Sequence, residues 1–166
     1  MPKRFFRKRY GPKNKYSIEQ TIVNTPSSST WELYAAVGNL AATRQTAYSI
    51  LPPTDVQGMR KVKHFTITFT STVDTQPFYY ALVFVPSGYA PQRINLPNEG
   101  IAIDSYDANQ FVISQGVLDF SGGPLRIRSP LSRNLNSGDS IYLLMATYNG
   151  VDAAILASVQ YAMTLQ

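Results

Sequence analysis

The first fifteen residues, MPKRFFRKRYGPKNK, bring basic and aromatic side chains together and include no carboxylate. Seven of them are Lys or Arg, and such cations neutralise phosphates and release condensed counterions from nucleic acid. The aromatic rings among them can stack on unpaired bases without reading sequence. We therefore predict a nucleic-acid-binding arm whose contact residues are Lys3, Arg4, Phe5, Phe6, Arg7, Lys8, Arg9, Tyr10, Lys13 and Lys15.

Two other uses of this tract stay open. A basic tail can simply keep a protein soluble, and a short run rich in Lys and Arg is also typical of a nuclear import signal. Import and packaging are compatible, because import comes first. Dense like charge with Pro2, Gly11 and Pro12 predicts that residues 1–15 are disordered when free and that the folded domain spans residues 16–166.

The charge of the chain is unevenly divided. The whole chain carries a net charge of +5, whereas residues 16–166 contain eight basic and ten acidic residues and carry −2. Charged residues make up 15% of the chain, below the usual quarter, which suggests a surface partly covered by other subunits. The absence of cysteine excludes disulfides and thiolate metal sites and weakly favours an intracellular protein. No apolar run is long enough to span a membrane.

Most of the remaining sequence is typical of β-strands. The alternation in MRKVKHFTITFTSTV predicts a strand with Phe65, Ile67 and Phe69 on its buried face. Comparable segments bring the predicted number of strands to eight, Asn149-Gly150 predicts a hairpin before the last one, and residues 35–47 admit a short helix. Because such strands are best buried as two packed sheets, we predict an all-β fold, a single eight-stranded jelly-roll sandwich with a disordered basic N-terminal arm.

A second basic cluster lies in MRKVKH, where Arg60, Lys61 and Lys63 are secondary candidates for binding a polyanion. Strict alternation would place Lys61 and Lys63 on the face of Phe65, at the edge of the core. Contact with DNA, attachment to host glycans and a plain solvated strand end stay open as alternatives. Arg126 and Arg128 also share one face of a strand, where an intersubunit salt bridge is favoured over contact with DNA.

The residues required for catalysis are scarce in this chain. His64 is the only histidine, there is no cysteine, and neither a glycine-rich phosphate loop nor a G-x-S-x-G motif is present. Metal-dependent jelly-roll enzymes need clustered histidines. Asp104 and Asp107 are better explained as turn residues than as calcium ligands. We therefore predict a protein that is not an enzyme and has no metal or other cofactor.

Several motifs along the chain, in this order, resemble one protein family. They are the Met-Pro-Lys-Arg start with its basic and aromatic tract, NTPSSSTW, ILPP, MRKVKHFTITF, and a last strand that carries Val159-Gln160-Tyr161. Together they resemble the capsid proteins of circovirus-like (CRESS) circular single-stranded DNA viruses, although the basic arm is shorter than is usual there. The resemblance implies one jelly roll, sixty copies in a T=1 icosahedral shell, arms that face inward and a DNA genome inside.

The function predicted from these observations is that of a capsid protein that self-assembles and packages single-stranded DNA through its arm. Its expected partners are further copies of itself, single-stranded nucleic acid, nuclear import receptors and host surface glycans, with no membrane insertion. Its expected locations are the virion and, during assembly, the host nucleus. The alternatives are a satellite-type capsid with an RNA genome, a nucleic-acid-binding β-sandwich that does not assemble, and, more distantly, a glycan-binding lectin. The second alternative requires a basic face on the folded body.

Overall fold

The computed structural model describes residues 16–25, 32–34, 43–55, 57–71, 78–92, 94, 110–119, 123–147 and 155–165. These residues form nine strands and no helix. The strands are β1 (Ser17–Thr25), β2 (Glu32–Tyr34), β3 (Thr43–Leu51), β4 (Arg60–Ser71), β5 (Phe78–Val85), β6 (Phe111–Leu118), β7 (Leu125–Leu135), β8 (Ser140–Thr147) and β9 (Ile155–Leu165). The predicted all-β fold is confirmed, and the predicted disorder of residues 1–15 lies outside the described residues.

The strands form two antiparallel sheets, in the orders β1-β9-β4-β7 and β2-β3-β8-β5-β6. We call them the first and the second sheet. Without the three-residue strand β2, each sheet has four long strands, and the chain crosses between the sheets as it passes from β1 to β3, β3 to β4, β4 to β5, β6 to β7, β7 to β8 and β8 to β9. This double-sheet arrangement of eight long strands is a jelly roll, as the sequence predicted.

The core lies between the two sheets. Val62, Phe65, Ile67 and Phe69 of β4 are at most 1% exposed, because β4 is flanked by β9 and β7 and covered by the second sheet. Phe69 packs against Tyr80 of the second sheet with ring centroids 5.4 Å apart. Burying aromatic and branched side chains from both sheets in this way supplies most of the driving force for folding.

Two predictions about local structure are wrong. Residues 43–47 belong to β3 and not to a helix, because pairing with β8 and burial of Ile50 outweigh an ambiguous local pattern. Asn149-Gly150 does not join a hairpin, since β8 pairs with β3 and β5 whereas β9 pairs with β1 and β4. A turn signal reports local backbone preference, but the sheet that the next strand joins is decided by the core.

β7, the strand that carries Arg126 and Arg128, continues through Pro130 to Leu135. Proline has no N–H to donate to a ladder, so a strand tolerates it at a sheet edge or at a bulge. Both conditions hold for β7, which pairs only with β4 and whose register shifts between Ser129 and Ser132.

Candidate nucleic-acid interface

A bulge in β4 decides where its basic side chains point. The pairing of β4 with β7 and β9 shifts next to Lys63, and His64 has a φ of 57°, in the left-handed region. One additional residue in a strand reverses the alternation beyond it. Val62 and Phe65 are three positions apart and would lie on opposite faces of a regular strand, yet because of the bulge both face the core.

The expected position of Lys61 and Lys63 on the face of Phe65 is consequently wrong. Because Val62 is buried in the core, its neighbours Lys61 and Lys63 alternate with it and lie on the outer face of the first sheet. Beyond the bulge, Thr66 and Thr68 continue the same outer face. The His64 side chain, at the bulge itself, is exposed.

Two arginines of β7 join the lysines on this face. The register places Arg128 opposite Thr66 and Arg126 opposite Thr68, and both arginines are exposed. Lys61, Lys63, Arg128 and Arg126 therefore form one row along the β4–β7 pair. We call the outer face of the first sheet, with this row, the cationic face.

The cationic face holds most of the basic side chains that the structure describes. The structure describes six Lys or Arg side chains. The other two, Arg60 and Arg133, point to the opposite side of the first sheet. None of the side chains described on the cationic face is acidic. Glu19 of β1 is directed to the opposite side, since its register partner is the core residue Tyr161. The near-neutral body thus carries a concentrated positive surface that its net charge conceals.

Tyr161, the register partner of Glu19, has a buried phenol with a raised pKa. Burial raises the pKa of the Tyr161 phenol, the nearby Glu19 carboxylate raises this pKa further, and the Thr21 hydrogen bond and the Arg60 guanidinium oppose the change. Tyr161 is 5% exposed and packs on Phe65 in the core, with ring centroids 6.0 Å apart. Burial is the main cause of the raised pKa, because water stabilises a phenolate better than the core does.

Arg60 belongs to the framework and not to the cationic face. It is 5% exposed, and its Nη2 donates a hydrogen bond to the carbonyl oxygen of Asp139 at 3.1 Å. The Asp139 carboxylate accepts the backbone N–H groups of Ser87 and Asn136 at 2.9 and 2.8 Å. Arg60 therefore fastens the loop before β8 to the start of β4, and of the three residues in MRKVKH only Lys61 and Lys63 are placed to meet a polyanion.

The place where the predicted arm joins the domain is also on the cationic face. Tyr16 immediately precedes β1, and its ring lies on the same side as Lys63, whose Nζ is 3.6 Å from the ring centre. In the register, Ala162 of β9 lies between Ile18 and Lys63 and contributes only a methyl group. Lys15, the last cation of the basic tract, is bonded directly to Tyr16, so the tract is attached at the edge of this face.

A pocket of about 380 Å³ adjoins one end of the row. Its described lining residues are Lys61, Phe84, Phe111, Ser132, Arg133 and Asn134. The Phe84 and Phe111 rings pack against each other with centroids 5.9 Å apart. These lining residues include no carboxylate and no imidazole, so the pocket continues the cationic and aromatic chemistry of the surface.

The outer face of the second sheet is built differently. Ala81, Val83, Val85, Leu144 and Ala146 form a second apolar cluster with Ile94, which is 1% exposed. Gln45 holds Ile94 in place, because its amide Nε2 donates to the Ile94 oxygen at 2.8 Å and its Oε1 accepts the Ile94 N–H at 2.9 Å. We call this the covered face, since Ile94, which follows β5 in the chain, packs over it.

The remaining predicted site residues cannot be placed. The ten contact residues of the arm, together with Asp104 and Asp107, lie outside the described residues. Within the described ranges there is no group of three or more His, Asp or Glu side chains that could hold a metal ion. The same ranges contain no helix long and apolar enough to cross a membrane.

Sequence reasoning identified Lys61, Lys63, Arg126 and Arg128 but did not bring them together. Their common row depends on the register between β4 and β7 and on a bulge, and no local pattern in the sequence predicts either. Comparison with known proteins adds no assignment: no protein-family model matches the chain, and no curated protein matches it. The function must therefore be argued from fold, charge and geometry.

Proposed function

We propose that this chain is the structural protein of a small T=1 icosahedral capsid and that it packages single-stranded DNA. The observation that carries the proposal is the attachment of the basic arm to the cationic face of a jelly roll. The arm contributes seven cations and the face four, and the described outer side chains of the second sheet carry no charge. A shell subunit needs two such different sides, because one side meets the genome and the other does not.

The arm supplies the larger part of the electrostatic attraction. In a shell of sixty copies, the arms bring on the order of 400 positive charges to one compartment, enough to neutralise a similar number of phosphates. The cationic faces add to this total. A mobile basic segment can follow any path of a single-stranded backbone, and its aromatic residues stack on bases of any sequence. The same tract is proposed to direct import into the host nucleus before assembly.

The structure also favours a second candidate, a nucleic-acid-binding β-sandwich that does not assemble. That function requires a basic face on the folded body, and the row of Lys61, Lys63, Arg128 and Arg126 meets the requirement. The resemblance to circovirus-like capsid proteins and the low proportion of charged residues support the capsid instead. The two candidates differ in the size of the particle that the protein forms.

Electron microscopy of the recombinant full-length protein tests the proposal. We expect uniform spherical particles whose ultraviolet absorbance shows nucleic acid as well as protein. A variant with the seven Lys and Arg of residues 1–15 changed to Gln should form empty particles or none. The matched control has the same fifteen residues in scrambled order, and it should package normally because non-specific binding depends on composition.

A monodisperse monomer or dimer at every salt concentration would contradict the capsid and leave the non-assembling candidate. Digestion of the particle contents with deoxyribonuclease or ribonuclease separates a DNA cargo from an RNA cargo. This step is needed because neither phosphate contacts nor stacking distinguishes the two nucleic acids. Contents that only ribonuclease degrades, from particles isolated from infected cells, would replace DNA by RNA in the proposal.

A further inference from the structure

The cationic face has a second half that carries no charge. Ile18 and Ile22 of β1 point to this side and are 81% and 65% exposed. The register places Ile18 in one row with Ala162, Lys63 and Ser132, and Ile22 in one row with Ser158, Thr68 and Arg126. Each row therefore runs from an exposed isoleucine, across small or neutral side chains, to the cationic half of the face.

The core does not account for these two isoleucines. β1 is an edge strand, and a large apolar side chain that is mostly exposed on an edge strand favours unwanted association. Val23, the neighbour of Ile22, is 3% exposed, so the strand already has the residue it needs to face inward. An apolar border beside a cationic row is suited to a ligand with one charged and one apolar side.

The spacing of the two halves agrees with one class of ligand. Neighbouring strands lie about 4.8 Å apart, so β1 lies about 10 Å from β4 and about 14 Å from β7. A nucleotide spans a comparable distance from its phosphate to the far edge of its base. In a duplex the bases are paired and hidden from such a surface, whereas in a single strand they are accessible.

We propose that a single strand of nucleic acid lies along the cationic face, with phosphates over Lys63, Arg126 and Arg128 and bases turned toward Ile18 and Ile22. This inference rests on the proposed nucleic-acid-binding function and specifies the site, the polarity across the sheet and the single-stranded form. Tyr16 places an aromatic ring against Lys63 on this face, beside the proposed path of the strand. In a shell, this face is then the inner lining.

The experiment measures binding by the soluble full-length subunit before assembly. One probe is an oligothymidylate of about twenty nucleotides, and the other is an abasic sugar-phosphate strand of the same length. The cation variant is Lys63→Gln/Arg126→Gln/Arg128→Gln, and the apolar variant is Ile18→Thr/Ile22→Thr, which retains β-branched residues in the strand. Val117→Thr is the matched control for the apolar variant, because Val117 is 53% exposed in the second sheet.

The two variants should differ in which probe they affect. The cation variant should weaken both probes and reduce the slope of log affinity against log salt by about 2, since each lost phosphate contact removes about 0.7. The apolar variant should weaken oligothymidylate binding roughly tenfold, because apolar contact between the bases and the isoleucines is lost, with abasic-strand binding and the salt slope unchanged. Val117→Thr should change neither probe.

Three outcomes would overturn the inference. If the apolar variant weakened oligothymidylate and abasic-strand binding equally, the bases would not contact Ile18 and Ile22. Unchanged binding with impaired particle formation would mean that a second copy of the chain covers Ile18 and Ile22. Intact particles of the cation variant could also keep a normal nucleic-acid content but no longer bind heparin. That result would place the cationic face on the outside of the shell, as a glycan-binding site. Because the probes report on subunits, a failure of the wild type to form particles would reject the capsid and leave this test intact.

Discussion

The outer faces of the two sheets differ in what covers them. On the covered face, Ile94 seals an apolar surface and Gln45 binds both of its backbone polar groups. On the cationic face, the Gln20 amide donates a hydrogen bond to the Ser158 hydroxyl at 2.8 Å in an exposed position, and Ile22 is 65% exposed. An isoleucine and a glutamine are thus buried on the second sheet and exposed on the first.

The difference indicates where the molecule is complete and where it requires a partner. The central strands β5 and β8 of the second sheet are buried on both faces, as continuous apolar runs such as FYYALVFV require. The first sheet has an apolar inner face and an outer face of cations, hydroxyls, amides and three exposed apolar side chains, Ile18, Ile22 and Leu156. Stability is therefore expected to depend on the covered face, and ligand binding on the cationic face.

The largest predicted effect compares two isoleucines. Ile94→Ala should lower the free energy of unfolding by about 3 kcal/mol, because it opens a cavity in a fully buried cluster. Ile22→Ala should lower it by less than about 0.5 kcal/mol, because that side chain is already in water. Urea unfolding at one fixed protein concentration measures both. Equal losses of unfolding free energy would contradict the difference in burial between Ile94 and Ile22.

A smaller effect compares two glutamines. Gln45→Ala removes two buried hydrogen bonds and leaves the N–H and C=O of Ile94 unsatisfied, at a cost of about 2 kcal/mol. Gln20→Ala removes one exposed bond and should cost a few tenths of a kcal/mol. Trypsin gives a second readout, because release of Ile94 should accelerate cleavage after Arg93 in the Gln45 variant only. Unchanged cleavage with full stability would mean that Gln45 does not fasten this segment.

Much of the fold followed from the sequence, and the reason is the strength of its strand patterns. Long alternation in β4 and β9 favours a strand over a helix, and the apolar run of β5 between prolines favours a strand buried on both faces. β3 was missed because TRQTAYSIL mixes polar and apolar residues and becomes a strand only when β8 pairs with it. Such a segment is determined by tertiary context, which overrides local preference.

The candidate site could be predicted only as separate parts. Basic residues in MRKVKH and PLRIRSP are visible in the sequence, but their common face depends on the register between β4 and β7. The covering of the second sheet was equally hidden, since Gln45 and Ile94 are 49 residues apart and nothing local marks them as partners. A bond between distant residues is a property of the folded chain alone.

The smallest predicted effect concerns the bulge that separates the cationic residues from the core. A φ of 57° is costly for any residue with a Cβ and is favourable for glycine. His64→Gly should therefore raise the free energy of unfolding by roughly 0.5–1 kcal/mol, and His64→Val should lower it by about 1 kcal/mol or more, because β-branched residues tolerate this region least. Thermal unfolding of the three proteins measures the order. If Gly, His and Val were equally stable, the bulge would not hold His64 in the left-handed region, and the outward direction of Lys61 and Lys63 would need another cause.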